Sequence, residues 1–137
     1  MSVVITDTGF APDTFNRKFT DLADLPANDT PCCVDFPSDA EPSSLAGRLS
    51  DIEMIRVAFP SSADGRGFTI ARQLRLMGFT GRLRAKGHVI ADQYAMARRC
   101  GFDEVEIDDD LAARQPEEQW RARADWQAHN YQARLRG

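Results

Sequence analysis

The sequence predicts an α/β fold: a mainly parallel sheet made of successive βα units, half-barrel-like, with its helices mostly on one face. Three observations support this. Short apolar runs alternate with segments of helical period, which implies crossover connections between parallel strands. Each helical segment carries one apolar stripe. Each strand alternates apolar with charged residues, whereas a strand covered by helices on both faces is almost wholly apolar. A doubly wound three-layer sandwich, with some of these charges at strand ends, is the alternative.

In chain order, Val3–Ile5 reads as a short strand, followed by a turn around Gly9 and Pro12–Asp13. The rest of an irregular N-terminal segment, residues 1–31, has little periodicity and room for one irregular element. The βα rhythm occupies residues 32–107. Cys32–Phe36 is a strand, and Pro42–Leu49 a short helix with Ser43 or Ser44 near its start. Met54–Phe59 is the clearest strand and Gly67–Met77 the clearest helix. In that helix Gly67, Ile70, Ala71, Leu74, Met77 and Gly78 recur at three- and four-residue spacing, leaving Arg72, Gln73 and Arg75 outside. Arg82–Lys86 is a strand, Val89–Arg99 a helix striped by Ile90, Tyr94, Ala97 and Gly101, and Glu104–Ile107 a strand. Gly78 and Gly101 stand where a left-handed helix terminus favours glycine. A closing helix over residues 116–132 opens with Pro116, Glu117 and Glu118. Its stripe is Trp120, Ala124, Ala128 and Tyr131, with Trp126 turned towards the amino-terminal segment or a partner subunit.

The alternation within the strands is specific. Val34 and Phe36 oppose Asp35; Ile55, Val57 and Phe59 oppose Arg56. Leu83 and Ala85 oppose Arg82, Arg84 and Lys86, while Val105 and Ile107 oppose Glu104 and Glu106. With strands in chain order and right-handed crossovers, the helices fall on one side. The other side becomes a ladder of acid, base, base, acid, attracting at roughly 0.2–1 kcal/mol per pair.

A chain of 137 residues suits a single α/β domain. Hydrophobic residues at 42% and charged residues at 28% are ordinary globular usage. A net charge of −4 argues against nucleic acid, whose phosphates need a basic surface. No apolar run approaches the roughly 20 residues of a membrane span. The start lacks the basic and apolar stretches of a secretory signal, so a soluble, cytoplasmic protein is expected. The three cysteines, Cys32, Cys33 and Cys100, form no CxxC and no Cys/His cluster, so zinc and iron–sulfur spacing are absent. They read as buried thiols in a reducing compartment, with a redox-active cysteine as the sharper alternative.

The densest local signal is Asp64-Gly65-Arg66-Gly67-Phe68, between a strand and a helix, where open α/β sheets hold their ligands. Free amides at the helix start and the Arg66 guanidinium suit an anion. Equally, Asp64 caps the helix and Arg66 pairs with an acid, leaving a simple turn. One unit later come Gly87 and His88, the latter a possible base or anion ligand, and then Asp92 and Gln93 on the first helical turn. Arg84 and Arg56 either bind an anion or pair with Asp35 and Glu106. The glycines fit neither a Walker loop nor a dinucleotide fingerprint. No cofactor motif, serine–histidine–acid arrangement or acidic metal cluster is present, so the candidate residues include no metal ligands and the cofactor is unknown.

The residues Phe59-Pro60, Asp64-Gly65-Arg66-Gly67-Phe68, Ala71-Arg72, Leu74-Arg75, Gly78-Phe79, Gly81, Leu83-Arg84-Ala85, Gly87, Val89, Asp92-Gln93 and Arg98-Arg99-Cys100-Gly101-Phe102-Asp103 carry a resemblance. In order and spacing over about residues 53–107 the chain resembles the bacterial domain-of-unknown-function family 934. Its members are small proteins usually encoded beside sulfite reductase and the adenylylsulfate or phosphoadenylylsulfate reductase. They are labelled oxidoreductases involved in sulfite reduction, without an established mechanism. The resemblance implies a cytoplasmic role in sulfur assimilation but supplies no catalytic residues. The family usually has an acid where His88 stands, and Phe-Pro-Lys-Phe where this chain has Phe59-Pro60-Ser61-Ser62.

Three functional expectations follow. The first is an accessory protein of assimilatory sulfate and sulfite reduction, partner of sulfite reductase or of another enzyme of that assimilation. The second is a small enzyme or binding protein with an oxyanion or phosphate site at the strands' carboxyl ends, formed by Asp64, Gly65, Arg66, Arg84, Gly87, His88, Asp92 and Gln93. The third is a structural homodimer whose polar sheet face is buried against its twin. The sequence leaves open whether the chain is an enzyme; a true oxidoreductase needs a bound flavin, nicotinamide or metal centre.

Overall fold

The computed structural model describes residues 2–13, 18–25 and 32–124. Within them, seven strands form one open sheet in the spatial order β2-β1-β7-β6-β5-β4-β3. They are β1 (Ser2–Thr6), β2 (Gly9–Pro12), β3 (Phe19–Asp21), β4 (Cys32–Phe36), β5 (Ile52–Phe59), β6 (Arg82–Gly87) and β7 (Glu104–Asp108). From β3 to β7 the strands are parallel and lie side by side in chain order. The hairpin β1–β2 adds to the β7 edge in antiparallel fashion. The helices are α1 (Arg66–Leu76), α2 (Tyr94–Cys100), α3 (Asp109–Arg114) and α4 (Glu117–Arg121).

The two faces of the sheet differ as the alternation predicts. Val34, Phe36, Ile55, Val57, Phe59, Leu83, Ala85, Val105 and Ile107 join one apolar cluster with Phe68, Ile70, Leu74, Tyr94, Ala97 and Trp120 of the helices. The helices therefore cover one face, as in the half-barrel arrangement rather than the three-layer sandwich. Phe59 anchors this layer, its ring edge-on to Phe68 of α1 and to Phe102 ahead of β7. Gly78 and Gly101 have φ of +106° and +113°, the left-handed termini expected of them.

Five local features differ from these expectations. The irregular amino-terminal segment contributes β2 and β3 as well as β1. β2 is held by the tight turn Asp7–Thr8 at the hairpin tip, and β3 is only a three-residue strand, too short to show a period. Residues 42–49 form a 3-10 turn, Pro42–Leu45, because Gly47 at φ +81° interrupts any helix there. The helix after β6 begins as the 3-10 turn Ala91–Gln93 and becomes α-helical only at Tyr94. Helix α3 was not anticipated: Asp108 caps it by accepting the Leu111 amide at 2.8 Å, and Leu111 is its one buried residue. The closing helix expected over 116–132 is helical only as the short α4 and gives way to turns at 122–124; Trp126, Ala128 and Tyr131 lie outside the described residues.

Candidate functional site

On the face away from the helices, register sets the charges in rows. Parallel pairing places Asp21, Asp35, Arg56, Arg84 and Glu104 abreast across β3 to β7. Two residues further towards the carboxyl ends, Ala58, Lys86 and Glu106 stand abreast, with Val4 of β1 beside Glu106. The rows are wired together. Arg56 holds Asp35 in a bidentate pair at 2.6 and 2.9 Å, reaches Glu106 Oε1 at 3.2 Å and stacks over the Phe19 ring. Arg84 donates to Glu104 at 2.7 Å, to the same Glu106 oxygen at 2.7 Å and to Asp13 at 3.1 Å. Arg82 adds a second cation to Glu104, and Lys86 Nζ stands 3.8 Å from Glu106.

These groups are buried: Arg84 is 0% exposed, and Glu104 and Glu106 are each 3% exposed. Burial alone would lower the arginine pKa, but Glu106, Glu104 and Asp13 outweigh it and raise that of Arg84. The central charges are thus shielded within a single chain, without a twin to cover them. Arg84 and Arg56 pair with acids, one of the two roles their spacing left open.

At the carboxyl ends of β3–β6 the same face opens into a cleft of about 460 Å³. Among the described residues it is lined by Asp21, Leu22 and Ala23, by Asp35 to Pro37, by Arg56 and Ala58 to Pro60, and by Lys86 and Gly87. Its floor exists because Ala58 presents only a methyl group beside Lys86. Pro37, Ala58 and Pro60 are exposed and Leu22 is half-buried, so the walls are largely apolar. Lys86 is the least committed cation of the network, its side chain 47% exposed and its ion pair with Glu106 long at 3.8 Å. Gly87 closes the strand at φ +128°; a Cβ there would strike the carbonyl of Phe59, which accepts the His88 amide at 2.9 Å.

The other sequence-predicted residues fall on the neighbouring rim. Asp64 and Arg66 pair with each other: Asp64 accepts the Arg66 backbone amide at 3.1 Å and its guanidinium at 2.9 and 2.6 Å. The start of α1 therefore already holds an anion, the Asp64 carboxylate, and Arg66 hydrogen bonds hold that carboxyl down at about 2. Arg66 also reaches Ser38 at 3.2 Å beside a second, smaller groove of about 360 Å³. Neither Gly65 nor Gly67 has a positive φ; Gly67 instead admits the Phe59 ring where a Cβ would collide. Gln93 ties the two loops together, its amide donating to Ser62 O at 2.7 Å while its oxygen accepts the Ile90 amide. Asp92 pairs with Arg123 at 2.8 Å, and His88 is exposed. So Gly87 borders the cleft, Arg84 lies on the face beneath it, and Asp64, Gly65 and Arg66 share the adjoining rim with Gln93.

Sequence reasoning placed Asp35, Arg56 and Lys86 on the polar face but not in a pocket, and it missed Asp21 and Leu22. The strict alternation plus parallel register was the available signal for the first three. The cysteines sit apart from the cleft; burial pushes the Cys32 and Cys100 thiols up, and Cys33 is fully buried. Among the described residues no group of three or more His, Cys, Asp or Glu side chains could hold a metal ion, and no helix is long and apolar enough to cross a membrane.

No curated protein and no solved structure matches the chain. The family model described as "Bacterial protein of unknown function (DUF934)" matches residues 33–137, which takes in the strands β4–β7, the cleft floor and both rims, and the chain belongs to that family.

Proposed function

We propose that the protein is an accessory binding protein of assimilatory sulfate and sulfite reduction, taking a small anion at the carboxyl ends of β3–β6. The observation that carries the binding part is the cleft itself, with Lys86 at its rim. Such clefts are where open α/β sheets hold ligands. Lys86 can turn to an incoming anion at little cost, since its contact with Glu106 is already 3.8 Å long. Arg56 and Arg84, held by their own carboxylates, fix the strands that present it. The metabolic part rests on the resemblance of residues 53–107 to proteins encoded beside sulfite reductase.

Calorimetric titration with sulfite, sulfate and adenylylsulfate tests the reading. Saturable binding of at least one is expected, weakened about tenfold by Lys86→Ala, the loss of one charge-assisted contact. A loss with Arg66→Ala alone moves the site to the Asp64–Gly65–Arg66 rim. Absence of saturable binding by all three, or binding indifferent to both substitutions, refutes it.

A second reading, docking on sulfite reductase, is favoured by apolar side chains left in solvent on the helical layer: Leu76 at 79% and Met77 at 38% exposure at the end of α1, and Met96 at 52% on α2. Co-purification from a native extract tests it, and repeated recovery without the reductase counts against it.

A further inference from the structure

The chemistry of the cleft narrows its ligand beyond "small anion". A bare oxyanion displaces only a few waters, at about 30 Å³ each, and so leaves most of the 460 Å³ unfilled. Sites built for oxyanions converge several N–H donors on one point. Here the lining offers a single loosely held ammonium, Lys86, while Asp21 adds negative charge at the opposite wall and Asp35 is neutralised by Arg56. Arg56, the other lining cation, has its guanidinium spent on Asp35 and Glu106 and its face on Phe19. The lining also holds an apolar strip of Leu22, Pro37, Ala58 and Pro60, with β5, which carries Ala58, running between the strands of Lys86 and Asp35. Burying sulfate against that strip without donors is costly, whereas burying hydrocarbon there is favourable.

We infer that the cleft binds an organic anion with a ring-sized apolar body, its acid group on Lys86 Nζ and its body lying across Ala58 between Pro37 and Pro60. This rests on the cleft reading above and specifies its ligand class. The volume falls within the range of roughly 300–1,000 Å³ typical of sites for organic ligands. The body also separates the acid group from Asp21, and a donor at its far end meets that carboxylate.

The probe is 1-anilinonaphthalene-8-sulfonate, an aromatic sulfonate, titrated by fluorescence into the full chain. N-phenyl-1-naphthylamine, the same rings without the sulfonate, and inorganic sulfate are run beside it. Ala58 is exposed, so Ala58→Phe fills the cleft without touching the core; Lys86→Ala removes the charge alone. The expected result is one probe per chain, with the neutral analogue about tenfold weaker. Lys86→Ala should bring the sulfonate down to the neutral analogue's affinity, and Ala58→Phe should abolish both. Sulfate binding that depends on Lys86, with no probe binding or with probe binding that ignores Ala58→Phe, overturns the ligand class but leaves the cleft as an anion site. If neither sulfate nor the probe responds to either substitution, both readings fall.

Discussion

Replacing Arg84 by Met tests whether the charged face is a structural layer. The side chain is 0% exposed, and its removal severs contacts with Glu104, Glu106 and Asp13. Breaking a buried ion pair by deleting one partner costs about 3–5 kcal/mol, because the remaining charge stays desolvated. Neither glutamate is left wholly alone: Glu104 keeps Arg82, and Glu106 keeps Arg56 at 3.2 Å and Lys86 at 3.8 Å. The cost therefore falls near the low end, about 3 kcal/mol. That is a large share of the roughly 5–15 kcal/mol by which domains are stable. Urea unfolding followed by far-UV circular dichroism measures it, with an unchanged m-value confirming that the folded state is compact. Adding Glu104→Gln should return part of the loss, since the double variant no longer buries a carboxylate that has lost one of its two cations; a coupling of about 1–3 kcal/mol is expected. A loss under about 1 kcal/mol, or strict additivity of the two substitutions, would mean that water reaches these groups and that the reasoning from burial is wrong.

Other predictions follow from single sites. Gly87→Ala should destabilise the fold by ~2–3 kcal/mol in the same assay, since the left-handed φ and the Phe59 carbonyl both resist a Cβ; a neutral outcome would show that the strand end relaxes. Cys32 and Cys100, whose thiols burial holds above 9.0, should react with iodoacetamide at pH 8 more slowly than a free thiol, the rate climbing only in more alkaline solution. Their protonated forms contribute stability that is complete below pH 9.0 and lost as pH rises through the raised values. Rapid alkylation of both at pH 8 would contradict this. For Asp64, a carboxyl carbon NMR titration should give a pKa near 2, returning towards 3.8 in Arg66→Ala. Being depressed, it contributes stability present above the ordinary carboxylate pKa and lost as pH falls through about 2.

The sheet was legible because its chemistry repeats every two residues. Asp35 between Val34 and Phe36, or Glu106 between Val105 and Ile107, can satisfy both neighbours only if one face is apolar and the other charged. That alternation by itself points to helices on one side. Helix α3 was not legible, because six residues with one buried leucine carry no stripe. Nor was Asp13, which meets Arg84 across 71 positions of chain. The cleft was hidden for a related reason. Its floor is defined by what Ala58 lacks, and its far wall comes from Asp21 and Leu22 in a segment without period. The strand-tip motif at Asp64–Arg66 was visible as a chemical pattern. Whether the two side chains meet an outside anion or each other depends on distances of an ångström, which residue types alone do not fix.

Glu106 has a mechanical consequence. One of its oxygens takes a guanidinium from β5 and another from β6, so a strand is clamped to its second neighbour over the head of the one between. Shear of β5 past β7 must break that clamp, and the backbone ladders on either side of β6 resist it as well. The middle of the sheet is thus a stiff slab, and the give needed to admit a guest is left to the outer lip, where three-residue β3 pairs with β4 by one short ladder and meets β5 through Phe19 under Arg56.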